Sequence, residues 1–117
     1  MIKKYLGRFP HALNGLKYAI KNDYGFRTQI YLGATLAFVV GVWFTPISSL
    51  EVLLVVLAYT LVLITELQNS AVETALDKIH PYLDEKIKKT KDMAAAAVLV
   101  AGFFLLFTLC LIYFVGI

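Results

Sequence analysis

Apolar residues fill three long stretches of the chain, and polar residues gather in the segments between them. From about Phe26 to Phe44 the apolar run is almost unbroken, and the following "TPISS" is turn chemistry that closes it. A run of about 19 residues is just long enough for a helix to cross the hydrocarbon of a bilayer. A second helix is predicted over 50–79. Its purely apolar part, Val52 to Thr65, is too short to span alone, so this helix must carry polar groups through the membrane boundary. The charged segment that follows, with Pro81 as breaker, reads as a loop, and a third span is predicted over 92–117. Upstream, Phe9, Leu13, Leu16 and Ile20 recur at helical spacing within residues 1–24, with Lys17 and Lys21 on another face. That is the pattern of an amphipathic helix lying on a membrane surface. Pro10 suits its first turn, and "KNDYG" separates it from the first span. The expected fold is therefore one all-α integral membrane domain over 1–117: a surface helix at 1–24 and transmembrane helices at 26–44, 50–79 and 92–117.

Composition strengthens this picture. The chain is 60% hydrophobic with a mean hydropathy of +0.75, well above a soluble globular mixture. Cys110 is the only cysteine and cannot form an internal disulfide, so it reads as a small apolar packing residue. The first thirty residues are basic and lack the uninterrupted apolar core of a cleavable signal peptide. Gly33, Ala37 and Gly41 lie four apart, as do Ala97 and Ala101 with Gly102 alongside. Small faces of this kind let helices approach closely in lipid, within a subunit or between subunits.

Charge sets the topology. Of the eleven Lys and Arg residues, Lys3, Lys4, Arg8, Lys17, Lys21 and Arg27 lie at or before the start of the first span. The others, Lys78, Lys86, Lys88, Lys89 and Lys91, lie between the second and third spans. The positive-inside rule then puts the N-terminus and the second loop in the cytoplasm and the C-terminus outside. The formal net charge of +3 is thus a membrane-surface feature, and the basic residues carry no nucleic-acid recognition motif.

The stretch "ITELQNSAVETALDKI" carries the candidate chemistry. At about 100° per residue, Asn69, Ser70, Glu73 and Asp77 fall within an arc of roughly 100° around Glu66. A one-sided polar stripe thus begins where an apolar helix reaches the membrane edge and leads to the Lys-rich loop. An acid next to hydrocarbon needs a cation, a metal ion or a hydrogen-bond network. Two acids at i and i+7 with an amide between them suit Mg²⁺, which takes oxygen ligands and keeps several waters. The residue types alone fit an enzyme handling a phosphate compound at the cytoplasmic face, a small oligomeric channel or transporter with a carboxylate-lined path, or a membrane scaffold. The chain has no phosphate-binding P-loop, no dinucleotide glycine pattern and no protein-kinase signature. His11 and His80 lack metal-ligand spacing and read as surface or boundary residues.

"ELQNSAVETALDK", the charged loop and "KDMAAAAVLVA" together resemble the small prokaryotic diacylglycerol kinases, a family that includes the undecaprenol kinases; "NGLKYAIKNDYGFR" resembles its N-terminal segment. The resemblance runs in order over nearly the whole chain. It implies a homotrimer of three-span subunits in the cell inner or plasma membrane. It implies transfer of the γ-phosphoryl of MgATP to a lipid hydroxyl, so ATP, Mg²⁺ and a lipid alcohol are the expected partners. By position, Glu66 is the implied catalytic carboxylate and Glu73 the implied ligand of the metal and the nucleotide phosphates. Asn69 would orient that cluster, and Ser70 and Arg27 would join it in orienting substrate. Lys91, Asp92 and Asp77 would contact the nucleotide. Asp23 stands where the family usually has a second metal-binding glutamate and is one methylene shorter, and Gln29 replaces a commonly acidic residue. Diacylglycerol is the expected acceptor, with undecaprenol the alternative.

Overall fold

The computed structural model describes residues 1–82 and 84–116, so the expected end of the third span at Ile117, and Leu83 in the loop before it, lie outside the described residues. Among the described residues all regular structure is helical, in five helices: α1 (Ile2–Leu6), α2 (Phe9–Asn22), α3 (Tyr24–Trp43), α4 (Ser49–Ile79) and α5 (Glu85–Phe114). The last three are long and apolar enough to cross a membrane.

The helix boundaries follow from local chemistry. The N-terminal segment is divided at Gly7 and Arg8, where the Arg8 guanidinium lies 5.6 Å from the centre of the Tyr5 ring. α2 carries Pro10 in its first turn and stops at Asn22. Asp23 is extended, with φ −101° and ψ 106°, and its side chain then caps α3. The break expected from "KNDYG" is therefore one residue wide, and Gly25 is helical. α4 opens on a capping box: the Glu51 amide donates to Ser48 Oγ at 3.1 Å and the Ser48 amide to Glu51 Oε1 at 2.9 Å. α5 starts at Glu85 rather than at 92, because Asp84 Oδ1 accepts from the amides of Lys86 and Ile87 at 2.8 and 3.2 Å. Its first turns are then laced by Lys89–Glu85 and Lys88–Asp92 ion pairs at 3.2 and 2.7 Å. Much of the segment expected as a charged loop is thus helix.

α4 and α5 form an antiparallel hairpin, the most extensive contact in the molecule. Val55, Ala58, Val62 and Glu66 are buried on α4, and Ala101, Thr108 and Ile112 on α5. Their spacings of three, four and seven are those of a left-handed supercoiled pair. α3 is covered more thinly, and Phe26 is its one buried residue. Phe44 meets Tyr113 at 5.5 Å between ring centres, joining the end of α3 to the end of α5. Inside the spans, the hydroxyls of Thr35, Thr60, Thr65 and Thr108 return to carbonyls of their own helices, so none is left unpaired in hydrocarbon.

Lengths fix the level of the membrane. α3 has 20 residues, about 30 Å, the thickness of the hydrocarbon. α4 has 31 and must overhang it. Because the loop from Trp43 to Ser49 is short, the overhang lies at the other end, beyond the head of α3. The molecule measures 50 × 42 × 26 Å.

Candidate active site

The site forms where α3 begins and α4 leaves the bundle's apolar interior. Asp23 Oδ1 is committed to the cap of α3, accepting from the Gly25 amide at 3.0 Å. Its Oδ2 is buried and has no hydrogen-bond partner. Gly25 faces α4, and Glu66 Oε1 lies so close to it that any side chain would overlap that oxygen. A Cβ at Gly25 would stand 3.4 Å from Glu66 Cδ and 3.5 Å from Asp23 Oδ1. The carboxylates of Asp23 and Glu66 therefore converge over one glycine, and this is the point that a side chain on α3 would otherwise fill.

Glu66 is 9% exposed. It continues the buried face of Val55, Ala58 and Val62, since these residues fall within about 80° of it around the helix. Beyond Glu66, α3 has ended, while α5 still runs beside α4 and reaches it at Asp77. The polar stripe is the floor of the opening so created: Asn69 and Ser70 are half-buried, and Glu73 and Asp77 are exposed. The Asn69 amide approaches Glu73 Oε1 at 3.5 Å, a long contact, while Asn69 Oδ1 is buried without a partner. From α5, Lys91 reaches across and donates to Asp77 Oδ1, tying the two helices together at the rim.

Not every expected residue joins this cluster. Asp92 is exposed and paired with Lys88 one turn back. Arg27 lies about 200° round α3 from Gly25. It lines a shallow depression of about 280 Å³ with Tyr24, Thr28 and Tyr31, on the side of α3 away from Glu66. His11 is exposed, and His80 caps α4 within 3.9 Å of Asp84. Gly25 is the residue of the site that sequence reasoning misses: neither the break at "KNDYG" nor the family-like segment around it shows that it faces Glu66.

The donor set suits a hard divalent cation. Among the described residues no group of three or more His, Cys, Asp or Glu side chains could hold a metal by itself. Mg²⁺, however, is held by one or two carboxylates together with substrate phosphates and water. Glu73, the free Oδ2 of Asp23 and the free Oδ1 of Asn69 supply oxygen donors of that kind.

The sequence profile of the prokaryotic diacylglycerol kinases matches residues 10–113. The diacylglycerol kinase of Haemophilus influenzae is 35% identical over 91 residues, covering 78% of this chain and 75% of that protein. That of Escherichia coli K12 is 32% identical over 102 residues, 87% and 82% of the two chains. That of Pseudomonas aeruginosa is 31% identical over 100 residues, 86% and 80%. The matched region includes α3, the carboxylate stripe of α4 and nearly all of α5, and the chain belongs to the prokaryotic diacylglycerol kinase family, a family of integral-membrane lipid kinases.

Proposed function

We propose that the protein transfers the γ-phosphoryl of ATP to the hydroxyl of diacylglycerol at the cytoplasmic face of the cell membrane, giving phosphatidic acid and ADP. The observation that carries this reading is Glu66, a 9%-exposed carboxylate level with the first turn of a helix that just spans the hydrocarbon. An acceptor hydroxyl cannot leave the membrane and ATP cannot enter it, so the two meet at this depth. The hydroxyl oxygen bonds to the γ-phosphorus as the bond from that phosphorus to the β-phosphate oxygen breaks, and the hydroxyl proton passes to Glu66. Phosphoryl transfer calls for positioning and charge neutralisation more than covalent chemistry. Asn69 orients the cluster. Lys91, exchanging Asp77 for a phosphate oxygen, neutralises charge on the nucleotide. Glu73 and Asp23 would hold Mg²⁺, which supplies further neutralisation of the phosphates when bound. The Lys and Arg distribution favours a cytoplasmic N-terminus and α4–α5 loop. The laterally open site favours a homo-oligomer, and the family likeness favours a trimer.

Diacylglycerol is preferred because its two ester carbonyls lie beside the hydroxyl, within the depth of the half-buried Asn69 and Ser70. A polyprenol offers only an allylic alcohol there. The test is purified protein with Mg²⁺, labelled ATP and a panel of lipid alcohols in one membrane mimic. The expected kcat/KM for diacylglycerol exceeds that for a polyprenol of matched bilayer solubility by about tenfold or more, roughly 1.4 kcal/mol of transition-state binding. Faster phosphorylation of the polyprenol would replace this assignment with undecaprenol kinase. Ion flux through liposomes without ATP turnover would instead support the channel class.

A further inference from the structure

We propose that Tyr59 is a positioning residue for phosphoryl transfer, its hydroxyl fastening α3 to α4 so that Asp23 and Gly25 stay in register against Glu66. The inference rests on Glu66 being the reacting carboxylate.

Tyr59 Oη donates to the Gln29 carbonyl at 2.8 Å. It breaks the habit of the threonine hydroxyls within the spans, which bond inside their own helices. The bond is possible because residue 33 is glycine. A Cβ there would overlap the Tyr59 hydroxyl and Cζ and would lie 2.9 Å from Cε1. Gly33 is thus a notch in α3 that admits the phenol to a main-chain carbonyl. In hydrocarbon no water can replace that bond.

The clamp forms the second of two rungs. The first is Gly25 against Glu66, and the second is Gly33 against Tyr59. The rungs are separated by eight residues on α3 and seven on α4, about 12 and 10.5 Å, so they fit one antiparallel register. From Tyr59 onward an apolar groove of about 390 Å³ lies between the two helices, lined by Ala37, Gly41, Val52 and Val55 among others. With Phe26 its only buried side chain, α3 has little else to hold its place along α4. A register shift of one residue is about 1.5 Å, and misplacement on the scale of 1 Å can cost about a hundredfold in rate.

The test uses the full-length protein in nanodiscs, on a Cys110→Ser background. Nitroxide labels at Tyr31→Cys and Ile64→Cys, both exposed positions on α3 and α4, report the distance between the helices in samples diluted with unlabelled protein. Tyr59→Phe keeps the ring in its notch and removes only the bond. It is expected to broaden the distance distribution and to lower kcat about tenfold, while KM for diacylglycerol holds, because the acceptor's proposed contacts lie on α4. Gly33→Ala, which expels the phenol, is expected to reproduce both effects. The double variant Tyr59→Ala/Gly33→Ala is expected to be no worse than Tyr59→Ala alone. A folded Tyr59→Phe protein with wild-type distances, or with broadened distances and unchanged kcat, overturns the proposal. So does a matched rise in KM, which would point to general loosening. Wild-type protein that phosphorylates no lipid alcohol would instead overturn the proposed function, with the distance measurement still deciding whether the clamp exists.

Discussion

Glu66 lies on the face that α4 buries, one turn after Val62 and against the backbone of Gly25. Its burial and its proposed role thus have the same origin: the supercoiled stripe that packs the bundle continues to the head of α3 and turns acidic. Glu66 and Glu73 differ in what surrounds them, and their substitutions should differ accordingly. Glu66→Gln is expected to lose most of kcat while nucleotide still binds, because the oxygen donors at Glu73 and Asp23 survive. Glu73→Gln is expected to weaken MgATP binding as well, as read by KM for ATP and by direct nucleotide titration. Equal nucleotide affinity in the two variants would contradict these roles. Gly25→Ala isolates geometry from charge. The new methyl meets Glu66 Oε1 and forces the carboxylate to move. Alanine meanwhile favours the helix by about 0.5–1 kcal/mol over glycine, which offsets part of the strain. The expected result is a fall in kcat of about tenfold or more with a thermal midpoint close to wild type. A large loss of stability with kcat preserved in the surviving protein would mean that Gly25 is only a packing residue.

The helical elements and their shared faces were legible from apolar runs, breakers and charge. The polar arc of Glu66, Asn69, Glu73 and Asp77 follows from periodicity alone, because one helix carries it. The start of α5 was not legible, since the lysines around Lys88 read as solvated loop; only the cap at Asp84 and the spacing of Glu85–Lys89 and Lys88–Asp92 reveal a helix. "SSLE" holds a capping box with Ser48 as the N-cap, so α4 starts at Ser49, one residue before the expected boundary at 50. Gly25 and the Tyr59–Gly33 notch could not be read at all, because periodicity gives the face of a helix but not its register against a neighbour. Which side of α3 carries Arg27 was illegible for the same reason: position in a motif does not say which side of α3 faces α4. At this scale the Asp77–Lys91 pair separates stability from binding. The two side chains are 65% and 35% exposed, and exposed pairs contribute about 0–1 kcal/mol. Lys91→Ala is therefore expected to shift the thermal midpoint little while raising KM for ATP several-fold. Asp77→Asn frees Lys91 and should shift KM for ATP much less. Equal effects of both on KM would assign the pair to helix docking instead.

The molecule as a whole presents large apolar side chains outward on every spanning helix, among them Phe38, Leu53, Phe103 and Phe107. In water this surface would be an aggregation hazard; in a bilayer it is the ordinary exterior, and the polar parts must then sit at the two faces. α4 shows where. If α3 spans the hydrocarbon from Tyr24 to Trp43, Glu66 lies at one boundary and Ser48 at the other, and everything from Asn69 to the first turns of α5 stands outside the apolar layer. The Lys-rich hairpin end, the carboxylate stripe and the α2 helix then share one face, the one proposed as cytoplasmic on the positive-inside rule. This arrangement predicts a pattern of labelling. On a Cys110→Ser background, Ser48→Cys is expected to react with an impermeant thiol reagent only from outside. Lys86→Cys and Glu73→Cys are expected to react only from inside, and Val56→Cys, exposed yet within the span, from neither. Labelling of residues 48 and 86 from the same side would rule out an odd number of crossings between them. The three-span arrangement would then fail, and with it the meeting of a membrane-bound hydroxyl and a cytoplasmic nucleotide at Glu66.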